Sequence, residues 1–389
     1  MSEILPPPVP RAANAVIADI QTLRGVSILL VLVAHLPFLY PWADAAFRVV
    51  GPYGFGYGVD LFFVISGFVI TRSLATELRS EAGRHPASVV LRFWVRRAFR
   101  LWPAAALAVA ATLAFVAAIG HEPPLPATGD TRSYVQAALA GLLNYMNLWA
   151  YRQVTEGRPI TLLAHFWSLS LEEQFYVVLP LLMLGFHRSR VLPASSLGVI
   201  LAFAWIDRSD FRHLPWWFRV DGLFWGVLVS WVSERPWVSR RQFGRIVGGL
   251  VLGLSIIGLV LSPAVAPASG ITTSTTLLLA VLPVLVASLD GGAFQHFGWL
   301  SRCLNAIGER SYTLYLWHLL AFTAAQLAWR RFGSQAAEPD LVGVTCITLL
   351  AAVALTACCG AYRWIELPTR AAGRRAAEAI AAAPQARMP

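Results

Sequence analysis

From residue 22 onward the chain alternates long apolar runs with breaks rich in arginine, proline or glycine. A helix needs ~20 predominantly apolar residues to cross ~30 Å of hydrocarbon at ~1.5 Å per residue. On that measure the runs predict about ten spans, roughly at 22–40, 57–75, 101–119, 166–186, 191–206, 220–234, 245–262, 271–289, 311–329 and 340–363. The expected fold class is an all-α, polytopic integral membrane helical bundle. Between the third and fourth spans, residues 120–165 contain a moderately apolar piece, QAALAGLLNYMNLWAY, that reads as a re-entrant or interfacial helix. No repeated helix pair and no second soluble domain is visible, which argues against an inverted-repeat transporter. The expected organisation is a disordered cytoplasmic tail (1–18), one membrane domain (19–368) and a cytoplasmic C-terminal tail (369–389).

Composition supports this reading, with 57% hydrophobic and 13% charged residues and a mean hydropathy of +0.60, too much apolar surface for a soluble fold to hide. The net charge of +10 resembles a nucleic-acid signal, but membrane proteins collect cations in cytoplasmic loops for topological reasons, and no nucleic-acid partner is expected. All the basic residues are arginine, a compositional bias without functional weight. With the N-terminus inside, 22 of the 31 basic residues fall on the cytoplasmic side, so the positive-inside rule predicts N-in and C-in. Cys303, Cys346, Cys358 and Cys359 show neither a CxxC pair nor metal-ligand spacing, and no metal site is expected. The start, MSEILPPPVPRAAN, lacks the features of a signal peptide.

The ionisable residues inside spans carry the candidate chemistry, because each is costly in hydrocarbon unless it faces a polar interior. In LRGVSILLVLVAH, Arg24 and His35 are eleven residues apart, about three helical turns, and share one face ~16 Å from end to end. Taken alone, His35 is as readily a structural histidine as a functional one. YGFGYGVDLFFVISGFVITR places Asp60 at the outer end of the second span and Ser66 within it; Asp60 either pairs with His35 or caps its own helix. RFWVRRAFRLWP presents Arg97 and Arg100 on one face among aromatic residues, suited either to lipid headgroups or to a phosphate-rich donor. HFWSLSLEEQFYVVLPLLM carries Glu172 and Glu173, which diverge by ~100°, so only one can face a given partner. The remaining candidates, for substrate binding or for structure, are Tyr315 and His318 in GERSYTLYLWHLL, and Arg219 and Asp221 in RVDGLFWG.

Seven stretches in order, DIQTLRGVSILLVLVAH, GVDLFFVISGF, RRAFRLWPA, HFWSLSLEEQFYVVLP, RVDGLFWG, SYTLYLWH and IELP, resemble the membrane-bound bacterial acyltransferases of the acyltransferase-three family over almost the whole chain. The resemblance implies a multi-pass protein of the bacterial inner (cytoplasmic) membrane. It would move an acyl group, acetyl as the expected one, from cytoplasmic acyl-CoA to a hydroxyl of a cell-envelope glycan, lipid or macrolide. The family's arginine-ten-histidine element falls on Arg24 and His35, its RxxR loop element on Arg97 and Arg100, its SLxxE glutamate on Glu172, and the aspartate before FFxxSGF on Asp60. Thr22 stands where the family has glycine, and Leu367 where a basic or polar residue is usual.

The expected mechanism places the phosphates of acyl-CoA, the donor substrate, near Arg97, Arg100 and Arg24, with His35, aided by Asp60 or Glu172, as general base or transient acyl carrier. No permanently bound cofactor is expected. The close of the chain after its last span suggests transfer unaided or with a separate extracytoplasmic partner. The rival reading is a proton-coupled transporter or flippase using the same buried charges.

Overall fold

The computed structural model describes residues 17–40, 48, 51, 53–80, 86–119, 129–186, 190–235, 238, 245–265, 269–289, 292–333 and 341–382. The expected disordered tail therefore lies almost entirely outside the described residues. Fourteen helices organise the described chain: α1 (Ala18–Ala34), α2 (Gly58–Ser80), α3 (Pro86–Ile119), α4 (Thr131–Leu142), α5 (Met146–Thr155), α6 (Phe166–Phe186), α7 (Val191–Ala204), α8 (Asp221–Ser233), α9 (Arg245–Val265), α10 (Gly270–Ser288), α11 (Trp299–Glu309), α12 (Ser311–Phe332), α13 (Leu341–Ala361) and α14 (Leu367–Ala382). Single 3₁₀ turns and one helical turn at Leu214–Trp217 join some of them, and a π-helical turn, Tyr362–Glu366, runs α13 into α14. Among the described residues every regular element is helical, and the chain is an all-α polytopic membrane bundle.

Among the described residues, six helical stretches are long and apolar enough to cross a bilayer: Phe55–Ser80, Pro86–Ile119, Phe166–Phe186, Ile246–Val265, Gly270–Ser288 and Leu341–Ala382. The other four predicted spans correspond to α1, α7, α8 and α12, which are shorter or carry more polar side chains. Three boundaries depart from expectation. The third span extends back to Pro86, so Arg97 and Arg100 sit within one 34-residue helix and not in a loop. QAALAGLLNYMNLWAY splits at Leu143–Tyr145, where Asn144 adopts a positive φ of 59°, into α4 and α5. Residues 369–382 of the expected C-terminal tail continue helix α14, which packs along α3.

α2 is the central strut, packing on α1, α3, α6, α8 and α10. Its crossing with α8 is closer than side chains permit: a Cβ at Gly67 would lie 2.0 Å from Leu223 O, and one at Gly226 2.3 Å from Val64 O. Glycine in SGF and in DGLFWG thus lets two backbones touch, as small residues do where membrane helices pack closely. α1 and α11 cross in the same way through Gly25 and Gly308. The buried start of α1 is tied down by polar contacts: Asp19 accepts from Phe294 N (3.1 Å) and Gln295 Nε2 (2.9 Å). Thr22, the departure from the family pattern, donates to Asn305 Oδ1 at 2.7 Å.

Candidate functional site: a basic cavity roofed by tyrosine beside a row of histidines

A cavity of about 1060 Å³, its mouth included, opens among α1, α2, α3, α4, α6 and α12. Arg24, Arg97, Arg100, Glu172 and Glu173 all line it. The helical repeat explains how residues so far apart in sequence meet: Arg97 and Arg100 are one turn apart on α3, while Arg24 approaches from the first half of α1. Arg24 Nε donates to Ser311 Oγ at 3.2 Å. Arg97 lies over the rings of Phe93 (5.3 Å) and Tyr176 (5.1 Å), which hold a guanidinium flat without consuming its donors. Ser66 and Tyr176 both donate to Glu172 Oε1, fixing that carboxylate against α2 and its own helix. Glu173 also borders the cavity, so the two adjacent glutamates occupy one wide arc although only Glu172 takes these two bonds. The arrangement can grip a polyanion, since planar guanidinium forks match phosphate oxygens in pairs.

Tyr315, from α12, and Ser168, from α6, close the cavity's far end. Tyr315 Oη donates its only proton to His165 O (2.8 Å), so Ser168 Oγ must be the donor in its 2.7 Å contact with Tyr315 Oη. Past this roof stand three imidazoles. His318 lies with its ring centre 5.6 Å from that of Tyr315, 4.8 Å from His35 and 5.0 Å from His165. His35 itself does not line the cavity: it sits in the half-buried cap of α1, beyond Tyr315 and His318. A line from the arginines to His35 therefore passes Tyr315 and His318.

A separate polar cluster corrects the expected His35–Asp60 pairing. Asp60, in the first turn of α2, faces Arg219 (3.4 Å), and Arg219 lies over the rings of Trp167 (4.9 Å) and Trp216 (4.6 Å). His35 Nδ1 is instead satisfied within its own helix by Val31 O at 2.8 Å, which turns the ring toward α12. Asp221 likewise ignores its sequence neighbour Arg219 and pairs with Arg208 at 2.5 Å, both side chains nearly fully buried. Ser66 is brought to Glu172, as described, and Tyr315 and His318 stand between the cavity and His35.

Sequence reasoning missed His165, Ser168, Tyr176 and Arg208. His165 carried a usable signal, an ionisable residue at the very start of a span in HFWSLSLEE. Arg208 carried none, because it sits in a polar loop and only the fold delivers it to Asp221.

A helical membrane bundle with a basic cavity and adjoining imidazoles accords with a membrane acyltransferase, and the match to known families shows that class: a model described as an acyltransferase domain (Acyl_transf_3) covers residues 17–363, and the chain belongs to that family. Among relatives, O-acetyltransferase OatA of Staphylococcus aureus is 26% identical over 390 residues, covering 91% of this chain and 57% of OatA. The putative membrane-bound transacylase BcsY of Komagataeibacter xylinus is 29% identical over 310 residues, 77% of this chain and 71% of BcsY. The putative peptidoglycan O-acetyltransferase YrhL of Bacillus subtilis is 26% identical over 332 residues, 78% of this chain and 48% of YrhL. The chain thus spans about half the length of the O-acetyltransferases it matches. No solved structure matches it significantly.

Proposed function

We propose that this chain is an O-acyltransferase of the bacterial inner membrane, moving an acyl group, acetyl in the simplest case, from cytoplasmic acyl-CoA to a hydroxyl of an envelope glycan. One observation carries the proposal: a cavity lined by Arg24, Arg97 and Arg100 ends at Tyr315, and the ring of His318 bridges Tyr315 to His35. The positive-inside rule assigns the arginine end to the cytoplasm, where acyl-CoA is available. The names of OatA and YrhL support acetyl as the group moved, and that of YrhL supports a glycan acceptor.

In this reading the arginines bind the donor's phosphates and the acyl-pantetheine arm lies along the cavity toward Tyr315. The ~16 Å rise from Arg24 to His35 sets the length that arm must cover. His35 Nδ1 is held as a donor by Val31 O, so neutral His35 presents a lone pair at Nε2 and can take a proton from the acceptor hydroxyl. Asp60, committed to Arg219, has no part in that step; Glu172 keeps the cavity's side chains in register. Vesicles carrying the protein, prepared from a strain lacking the gene, test the proposal with radiolabelled acetyl-CoA. Alkali-labile label should appear on envelope material with the native chain and fall to background with His35→Ala. Label equally high with His35→Ala would refute the role of His35, and intact acetyl-CoA with the native chain would refute acyl transfer.

A further inference from the structure

The histidine row contains two groups that the proposed function leaves idle. His318 is 0% and His165 6% exposed. Each uses Nδ1 against a backbone carbonyl of its own segment, His318 on Tyr315 O (2.7 Å) and His165 on Leu162 O (2.9 Å), just as His35 uses Val31 O. A carbonyl only accepts, so all three Nδ1 atoms carry hydrogen and all three neutral rings expose a lone pair at Nε2. Nε2 of both His165 and His318 is buried without a hydrogen-bond partner. Orphaned buried acceptors are costly, and two side by side in one row ask for a purpose. Among the described residues, no group of three or more His, Cys, Asp or Glu side chains is arranged to hold a metal ion. What these lone pairs lack is a proton.

We infer that His318 and His165 are further catalytic groups, forming with His35 a three-imidazole array that takes up the acceptor's proton and holds it until the thiol leaves. The inference rests on the reading of His35 as base. The half-buried His35 meets the acceptor hydroxyl; His318, in contact with both other rings, receives the proton from it. Ring centres 4.8 and 5.0 Å apart put His318 against both other rings, and since Nε2 of His318 and of His165 makes no direct hydrogen bond, a hop between rings takes one bridging water, a reach that general-base catalysis allows. Every hop runs from an Nε2–H to a neighbouring Nε2, so no ring changes tautomer and no Nδ1 bond breaks. The acceptor oxygen forms the C–O ester bond and the C–S bond of the thioester breaks. The proton lost by the hydroxyl passes from the array to the thiolate, leaving an ester and a thiol with no net change in the protein. The array reaches the cavity at Tyr315, against which both His318 and His165 pack with ring centres 5.6 Å away. The proton thus moves along the same route, past Tyr315, by which donor and acceptor come together.

The test uses the full chain in the vesicle assay above, with labelled acetyl-CoA as probe. His318→Gln and His165→Gln keep the side-chain bulk and remove the base; each should lower label transfer about 100-fold, the scale of general-base catalysis, with acetyl-CoA binding unchanged. His318→Ala should regain at least tenfold activity with added imidazole but none with pyrazole, which has the same size and is a far weaker base. Equal rescue by both would show a packing role and overturn the inference. Either glutamine variant working like the native chain while His35→Ala is dead would overturn it and leave the His35 reading standing, whereas activity in His35→Ala would remove that reading itself. Should the variants fail to bind acetyl-CoA, ¹⁵N-histidine spectra of the native protein decide: the neutral Nδ1–H form is required at all three residues, and an Nε2–H form at His318 or His165 refutes the array.

Discussion

Replacing Tyr315 by phenylalanine probes the junction between the basic cavity and the histidines with little change in volume. Tyr315 is 5% exposed, and its ring stays packed on Phe62, His165 and His318, so no cavity opens. Two bonds disappear, the donation to His165 O at 2.8 Å and the acceptance from Ser168 Oγ at 2.7 Å. Ser168 can turn to the carbonyl one helical turn back, as helical serines do. The buried His165 carbonyl, at the cap of α6, keeps the first intrahelical bond, so the cost is the net worth of the lost Tyr315 bond, about 0.5–1.5 kcal/mol. That loss should lower the melting temperature of the protein in nanodiscs by about 1–3 °C, given the small shift per kcal/mol expected for a chain of this length. It also frees the turn that carries the His165 ring, so transfer should fall about tenfold, equivalent to about 1.4 kcal/mol in the barrier. The proposed donor grip lies elsewhere, on α1 and α3, and the dissociation constant for acetyl-CoA should change by less than about twofold. A differential melt, an equilibrium binding curve and the vesicle assay give the three numbers. Unchanged melting together with unchanged transfer would refute the argument that this hydroxyl holds the roof, and a tenfold loss of acetyl-CoA binding would place Tyr315 in the donor grip instead.

Arg97→Ala or Arg100→Ala should each raise the acetyl-CoA dissociation constant about 10- to 100-fold, the value of one lost charge-assisted hydrogen bond of about 1.5–3 kcal/mol, as read by equilibrium binding. Gly226→Val should destabilise the protein by about 1–3 kcal/mol or more, because its Cβ meets backbone and no flexible side chain can move aside; thermal melting measures it. Glu366→Ala should cost about 3–5 kcal/mol, since this fully buried carboxylate accepts from Thr313 at 2.6 Å and from Arg370, whose charge would be left without it. In the loop between α7 and α8, Asp210 has its pKa lowered to about 2 by hydrogen bonds from the Arg212 side chain and backbone. A depressed carboxylate pKa means that this contact is complete above the ordinary value near 4 and is lost as pH falls through about 2. The protection of the Arg212 amide, its exchange rate relative to the intrinsic rate at each pH, should fall over that window and stay level above it.

Much of the fold was legible in the residue pattern because spanning a bilayer is a local requirement. Length and apolarity alone place α6 at 166–186, and they come within a few residues of α8, α9, α10 and α13. The backward extension of α3 was not legible by that measure, because Arg92, Arg96, Arg97 and Arg100 break hydropathy without breaking a helix. Arginine is a good helix former. Of the site, the helical period placed Arg24 and His35 on one face, and the motif resemblance pointed to Arg97, Arg100 and Glu172.

What the sequence determined by itself was thus an inventory: a membrane bundle, its helices, and the titratable residues inside it that hydrocarbon would otherwise reject. Tertiary structure alone decided the pairings. Asp60 went to Arg219 and not to His35, Asp221 to Arg208 and not to Arg219, and three histidines from α1, the start of α6 and α12 came into one row. The reason is physical. Spacing along one helix states which residues share a face, but the rotation of one helix against another depends on close contacts such as Gly67 on Leu223 O, which involve residues more than a hundred positions apart.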